Sequence, residues 1–221
     1  MVYYLGRLII GEKKWDEITE ERYNTIRSHM SNIIRAFRIE ECFNMIVENY
    51  RELEEEILSI ALNHIIYVGC DSYRLITEER ELNRRLNNFL SSCRLYRDQL
   101  QKTTKSINKN TQVSKFLKDE YNKSFSYRLM ETLRNYIQHC GLVYGYTVSH
   151  SVINIRRVIN NGENDQIACA VGLKFKKETL LEYIDDKRNK GNNPKFKQEL
   201  GNYPDRIDLV PHIRKYMESI W

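Results

Sequence analysis

Proline is nearly missing from this sequence and glycine is scarce, with three and nine in 221 residues. Proline breaks a helix interior and glycine weakens it, so their scarcity permits long uninterrupted helices. Long apolar runs are missing too. Stretches such as Ile65-Ile66-Tyr67-Val68 fall far short of the ~20 residues that a bilayer span needs. The first ten residues lack the basic start, apolar stretch and small-residue cleavage site of a secretion signal. No membrane partner is expected, and the cytoplasm is the expected compartment. The five cysteines, at 42, 70, 93, 140 and 169, are scattered and form no C-x-x-C pair. That argues against a disulfide framework and a zinc site, and most are read as small buried apolar residues. Gly-rich phosphate loops, G-x-S-x-G, H-E-x-x-H and zinc-deaminase patterns are all missing, so neither a metal nor another cofactor is expected.

What is present is a charge-rich chain with a formal net charge of +5. That balance is too mild to establish nucleic-acid binding, but its distribution is uneven. Arg38 to Leu58 holds seven acidic residues against two basic, whereas Arg94 to Arg128 holds nine basic against three acidic. The basic stretch is either a solvated helix face or a surface that attracts phosphate.

The apolar periodicity is mostly helical. Residues 1–15 form a short strand or docking arm. A helix opens near Asp16, with Ile26, Met30, Ile33 and Phe37 at helical spacing, and Phe43, Val47, Tyr50, Ile57 and Ala61 repeat the pattern to about Gly69. Asp71 or Ser72 caps a third helix, whose Leu82, Leu86, Phe89, Cys93, Tyr96 and Leu100 make the cleanest heptad. A polar loop is expected over 102–114. A fourth helix follows, with Tyr121, Phe125, Leu129, Leu133, Tyr136 or Ile137, and Cys140 inward, and Gly141 stops it. Beyond it the composition turns to Val, Ile and Tyr. A β-hairpin is expected from Tyr146–Ile159 and Gln166–Phe175, then a short helix over Glu178–Lys187, a loop near Pro194 and a last helix from about Asp208. The expected fold is therefore mainly α: an antiparallel bundle of four to five helices over 16–142, with a hairpin-and-helix appendage over 143–221.

One polar cluster stands out on the fourth helix. At about 100° per residue, Arg134, Asn135, Gln138 and His139 all point away from the stripe of Leu129, Leu133, Tyr136, Ile137 and Cys140. Asn135 and His139 are i,i+4 neighbours, as are Arg134 and Gln138. An arginine grips phosphate oxygens in a fork, and a histidine moves protons near neutral pH. An asparagine fixes the ring or holds a hydroxyl. RNA brings its own nucleophile, the 2′-OH, so a base and a cation suffice for cleavage without metal. Glu131, one turn earlier, is a candidate support, as are Arg97 and Asp98 across the core. Arg128, Lys123 and Tyr136 are candidate RNA contacts.

The string Leu133-Arg134-Asn135-Tyr136-Ile137-Gln138-His139-Cys140-Gly141 resembles the motif of the HEPN superfamily, an Arg followed by a polar residue and, after a short spacer, a His. The resemblance covers roughly residues 70–142. It implies a helical bundle and a metal-independent endoribonuclease with Arg134 and His139 as the catalytic pair and Asn135 as companion. It also implies a homodimeric site and a setting in toxin–antitoxin or antiviral defence, where an antitoxin or nucleotidyltransferase is the partner. The rival readings are a HEPN-like module that binds RNA or a nucleotide without cutting it, and a structural partner in a defence complex.

Overall fold

The computed structural model describes residues 1–9, 12–66, 72–106, 110–140, 153–154, 170–186 and 194–220. The fold is mainly helical, with small two-stranded sheets. The chain opens with β1 (Tyr3–Ile9) and β2 (Glu12–Ile18), an antiparallel ribbon in which Gly6 faces Trp15. A Cβ added at Gly6 would stand 2.3 Å from the Trp15 ring, so the glycine makes room for the indole.

Helix α1 runs from Glu20 to Ile66, 47 residues in one piece. No proline or glycine interrupts it, and the two expected helical patterns fuse. Thr19, not Asp16, caps it. The Thr19 hydroxyl accepts from the Arg22 N–H at 3.3 Å, with Glu20 and Glu21 in the first turn. Asp16 is held in β2, opposite Leu5.

Helix α2 (Ser72–Ser106) lies antiparallel to α1, as three cross-links of the pair show. The Phe43 and Tyr96 rings meet at 5.7 Å, and Arg85 reaches Glu52 at 2.8 Å and Glu56 at 3.1 Å. The heptad packs inward as expected at Leu82, Leu86, Phe89 and Cys93, which are buried. Burial pushes the Cys93 thiol well above its ordinary pKa and leaves it unreactive.

The expected loop after residue 101 is mostly helix: α2 runs on to Ser106, and α3 (Asn110–Lys123) follows. Helix α4 (Phe125–Cys140) begins after a break at Ser124, whose hydroxyl accepts from the Tyr127 N–H at 3.2 Å. Of the expected hairpin, residues 153–154 and 170–175 are described, and only β3 (Ile153–Asn154) and β4 (Ala170–Val171) pair as its two arms. They pair antiparallel with Ile153 opposite Val171. Its turn, 160–165, and Gly141 lie outside the described residues. Strand β5 (Lys174–Lys176) leads into α5 (Lys177–Asp185). Then come α6 (Pro194–Gly201), which opens on its proline, and β6 (Arg206–Asp208), which pairs with β5. Helix α7 (Leu209–Glu218) ends the described chain. It is capped by Asp208, whose carboxylate accepts from the Val210 N–H at 3.1 Å.

A single hydrophobic cluster crosses the expected boundary at 142. Ile46, Leu53, Phe89, Leu129 and Leu133 share it with Phe175, Leu180, Ile207, Ile213 and Tyr216. Helix α7 lies along α4, so the last third of the chain covers the bundle rather than hanging from it.

Candidate active site

Helix α4 changes character along its length. Its first two turns are enclosed nearly all round, with Ser126, Tyr127, Arg128, Leu129, Met130 and Glu131 buried beneath α3, α6 and α7. From Thr132 onward only Leu133 and Ile137 stay buried, and the other side of the helix emerges. The motif sits on this emerging end. Arg134 and Asn135 are half-buried, and Gln138 and His139 are exposed. Cys140, expected inward, is exposed as well.

Arg134 and Asn135 form one unit. The guanidinium Nη1 donates to the Asn135 Oδ1 at 2.8 Å. The Arg134 Nε is buried without a hydrogen-bond partner among the described residues, an N–H kept from solvent at some cost. His139 lies about 140° round the helix from Arg134 and about 7.5 Å along it.

Beside this pair the C-terminal region contributes aromatic walls. The Tyr136 ring meets Phe175 edge-on at 5.7 Å and Tyr183 of α5 at 5.5 Å. Tyr136, a candidate RNA contact, is half-buried between two rings, a packed position rather than an open face. The Tyr183 hydroxyl is pushed up in pKa, first by burial and then by Cys140, while Arg134 pulls it down. Its phenol thus lies within electrostatic reach of the motif.

The expected supporting residues are placed differently. Glu131 is buried, not on the polar arc, and does not orient Arg134. It pairs with Arg97 of α2 and accepts from the Tyr216 hydroxyl at 2.7 Å. Burial and the Glu131 charge push the Tyr216 pKa well up. Asp98 does not cross the core either; it accepts from Arg94, one turn back on its own helix, at 2.9 Å. Its neighbour Arg97 makes the crossing, because one residue turns a helix by about 100°.

Arg128 is the clearest correction among the expected RNA contacts. It is 2% exposed and donates to the Tyr121 carbonyl at 2.6 Å and the Asn122 carbonyl at 2.9 Å. It also pairs with Glu199 of α6. It closes the end of α3 and offers nothing to a ligand. Lys123 is exposed, 3.6 Å from the Glu120 carboxylate, a weak pair that leaves its charge open to solvent.

Sequence reasoning missed Tyr183, Tyr216, Glu199 and a contact between Ser126 and His212, whose Oγ and Nδ1 lie 2.9 Å apart. Each partner comes from more than forty residues away, and no local spacing signals it. Compared with known protein families, curated proteins and solved structures, the chain finds no match.

Proposed function

We propose that this chain is an endoribonuclease acting through Arg134, Asn135 and His139. The observation that carries the reading is the Arg134–Asn135 hydrogen bond on the end of α4 that emerges from the core, one turn before an exposed His139. Arg134 grips the scissile phosphate. His139 takes the 2′-OH proton, the 2′ oxygen bonds to phosphorus, and the bond from phosphorus to the 5′ oxygen breaks. The leaving oxygen takes up a proton, and the products are a 2′,3′-cyclic phosphate and a 5′-OH end. No metal enters this scheme. Because Arg134 and His139 lie on different sides of one helix, a second copy recruited on the RNA and supplying its own motif completes the site in this reading. The resemblance to HEPN proteins supports a setting in toxin–antitoxin or antiviral defence, in the cytoplasm.

Binding without cleavage is favoured by one observation: Arg134 and His139 lie about 140° apart round α4, so one copy alone does not bring both groups to one phosphate. One experiment separates the two readings. Labelled RNA is incubated in EDTA with the wild type and with His139→Ala. Cleavage with cyclic-phosphate ends, lowered about 100-fold or more by loss of the general base, supports the ribonuclease. Intact RNA that is nonetheless retained, with affinity falling as salt rises, supports the binding module. RNA neither cut nor retained rejects both.

A further inference from the structure

We propose that the first 22 residues of α1, with the β1–β2 ribbon at their tip, form an arm that pairs with the same arm of a second copy. The argument begins with which side of α1 is wet. The residues of α1 that enter the core, Ile46, Leu53, Ile57 and Ile60, centre on one line along the helix. Ile26, Met30, Ile33 and Phe37, at about 100° per residue, centre on a line about 180° away. Phe43, Cys42 and Ile39 continue the inner side below Ile46, and beyond Ile39 the side facing α2 turns polar, with Arg35, Ser31 and Ser28. The apolar stripe has changed sides. Among the described elements, those packed on the inner face of α1 do not reach it.

The stripe is open. Met30, Ile33, Ile34 and Phe37 are 53%, 63%, 46% and 57% exposed, and Ile26 is half-buried. The ribbon extends the surface. Tyr3 stacks on Tyr23 with ring centroids 4.4 Å apart, and Tyr23 lies on the flank of the stripe. On the ribbon's other face Tyr4 and Trp15 are 56% and 59% exposed. A lone two-stranded ribbon is marginal in water, and a helix with an uncovered stripe draws no packing energy from it.

Three features favour a second copy as the occupant. The steps of four, three and four residues from Ile26 to Phe37 are those of a helix-pairing seam. Laid antiparallel about a two-fold axis between residues 31 and 32, the seam matches itself, Ile26 against Phe37 and Met30 against Ile33. Within 20–41, Glu20, Glu21, Glu40 and Glu41 balance Arg22, Arg27, Arg35 and Arg38, so the segment carries no net charge to repel its copy. The area is also of the right order. At about 100 Å² each, the four exposed side chains of the stripe offer about 400 Å², about half of the roughly 800 Å² that one partner gives to a standard interface. This surface is separate from the end of α4, and the inference stands without the ribonuclease reading.

Light scattering on the intact chain tests it without RNA. The wild type should show about twice the 26.5 kDa of one chain at tens of micromolar. Ile33→Glu combined with Phe37→Glu should return it to one chain, with at least about a 100-fold weaker dimer. Far-UV circular dichroism should stay native-like, since both positions are exposed. As a control, Gln138→Ala on α4 should leave the mass unchanged. Two results would overturn the proposal: a double variant that stays dimeric, or a wild type of single-chain mass, whose flotation with anionic lipid vesicles would assign the arm to a lipid surface instead.

Discussion

Glu131→Ala should be among the most destabilising single changes in this chain. The carboxylate lies between Arg97 of α2 and Tyr216 of α7, buried beside Tyr127. Removing it strands a guanidinium and a hydroxyl. Losing one partner of a buried ion pair costs about 3–5 kcal/mol. The Arg97 side chain keeps 17% exposure, and water reaching it argues for the low end, about 3 kcal/mol. The orphaned hydroxyl adds about 1 kcal/mol. A loss of about 4 kcal/mol is a large part of the roughly 5–15 kcal/mol of a typical domain. It should lower the melting temperature by about 8–16 °C in a chain of this size. Urea unfolding followed by circular dichroism measures it, provided the slope is unchanged. The triple variant Arg97→Met, Glu131→Leu, Tyr216→Phe should recover all but about 1 kcal/mol, because an apolar replacement leaves nothing stranded. A cost below about 1 kcal/mol for Glu131→Ala, or a triple variant no better than the single one, would refute the assignment of Glu131 to a buried structural network.

Two further outcomes follow from packing. His212 sits against Phe125 and Tyr203, each at 5.5 Å, and against the Ser126 hydroxyl. Its pKa is lowered by burial first and by Lys215 second, against the opposing pull of Asp208. The unfolded chain therefore binds the proton first, and stability falls as pH drops below about 6.5 until the folded pKa is reached. Urea midpoints at pH 7.5 and 5.5 should separate more for the wild type than for His212→Gln. Arg128→Met should cost about 2 kcal/mol by leaving two carbonyls of α3 without their donor, while Glu199 keeps solvent and Lys195 at 4.0 Å. Measured by urea unfolding, that loss should come with no change in RNA affinity at temperatures where the variant stays folded.

The legible part of this protein was whatever one helix could declare by itself. The heptad of α2 and the stripe of α4 are repeated patterns whose inward face follows from spacing alone, and up to the last turn of α4, where Cys140 is exposed instead, both pack as read. So did the outward aim of Gln138 and His139. What spacing could not declare was which polar residues the rest of the chain would cover. Arg128 and Glu131 look like surface charges on their own helix, and α6 and α7 bury them from 71 and 85 residues away. The apolar spacing of Ile26 to Phe37 is correct as helix, yet periodicity fixes a helix's faces only relative to one another. The turn of the stripe to the outer side became visible once α1 proved continuous. Residues 102–114 looked like a loop because polar helices lack a stripe to read.

A helix of 47 residues also governs how the molecule moves through solvent. At about 1.5 Å per residue it is about 70 Å long, and its tip stands about 40 Å beyond Ile46. A compact globule of this chain length has a radius of gyration near 17 Å. So long a lever raises friction far more than it raises weight. On a column calibrated with spherical standards, a lone copy elutes early enough to pass for two, so only a method that weighs particles can count them.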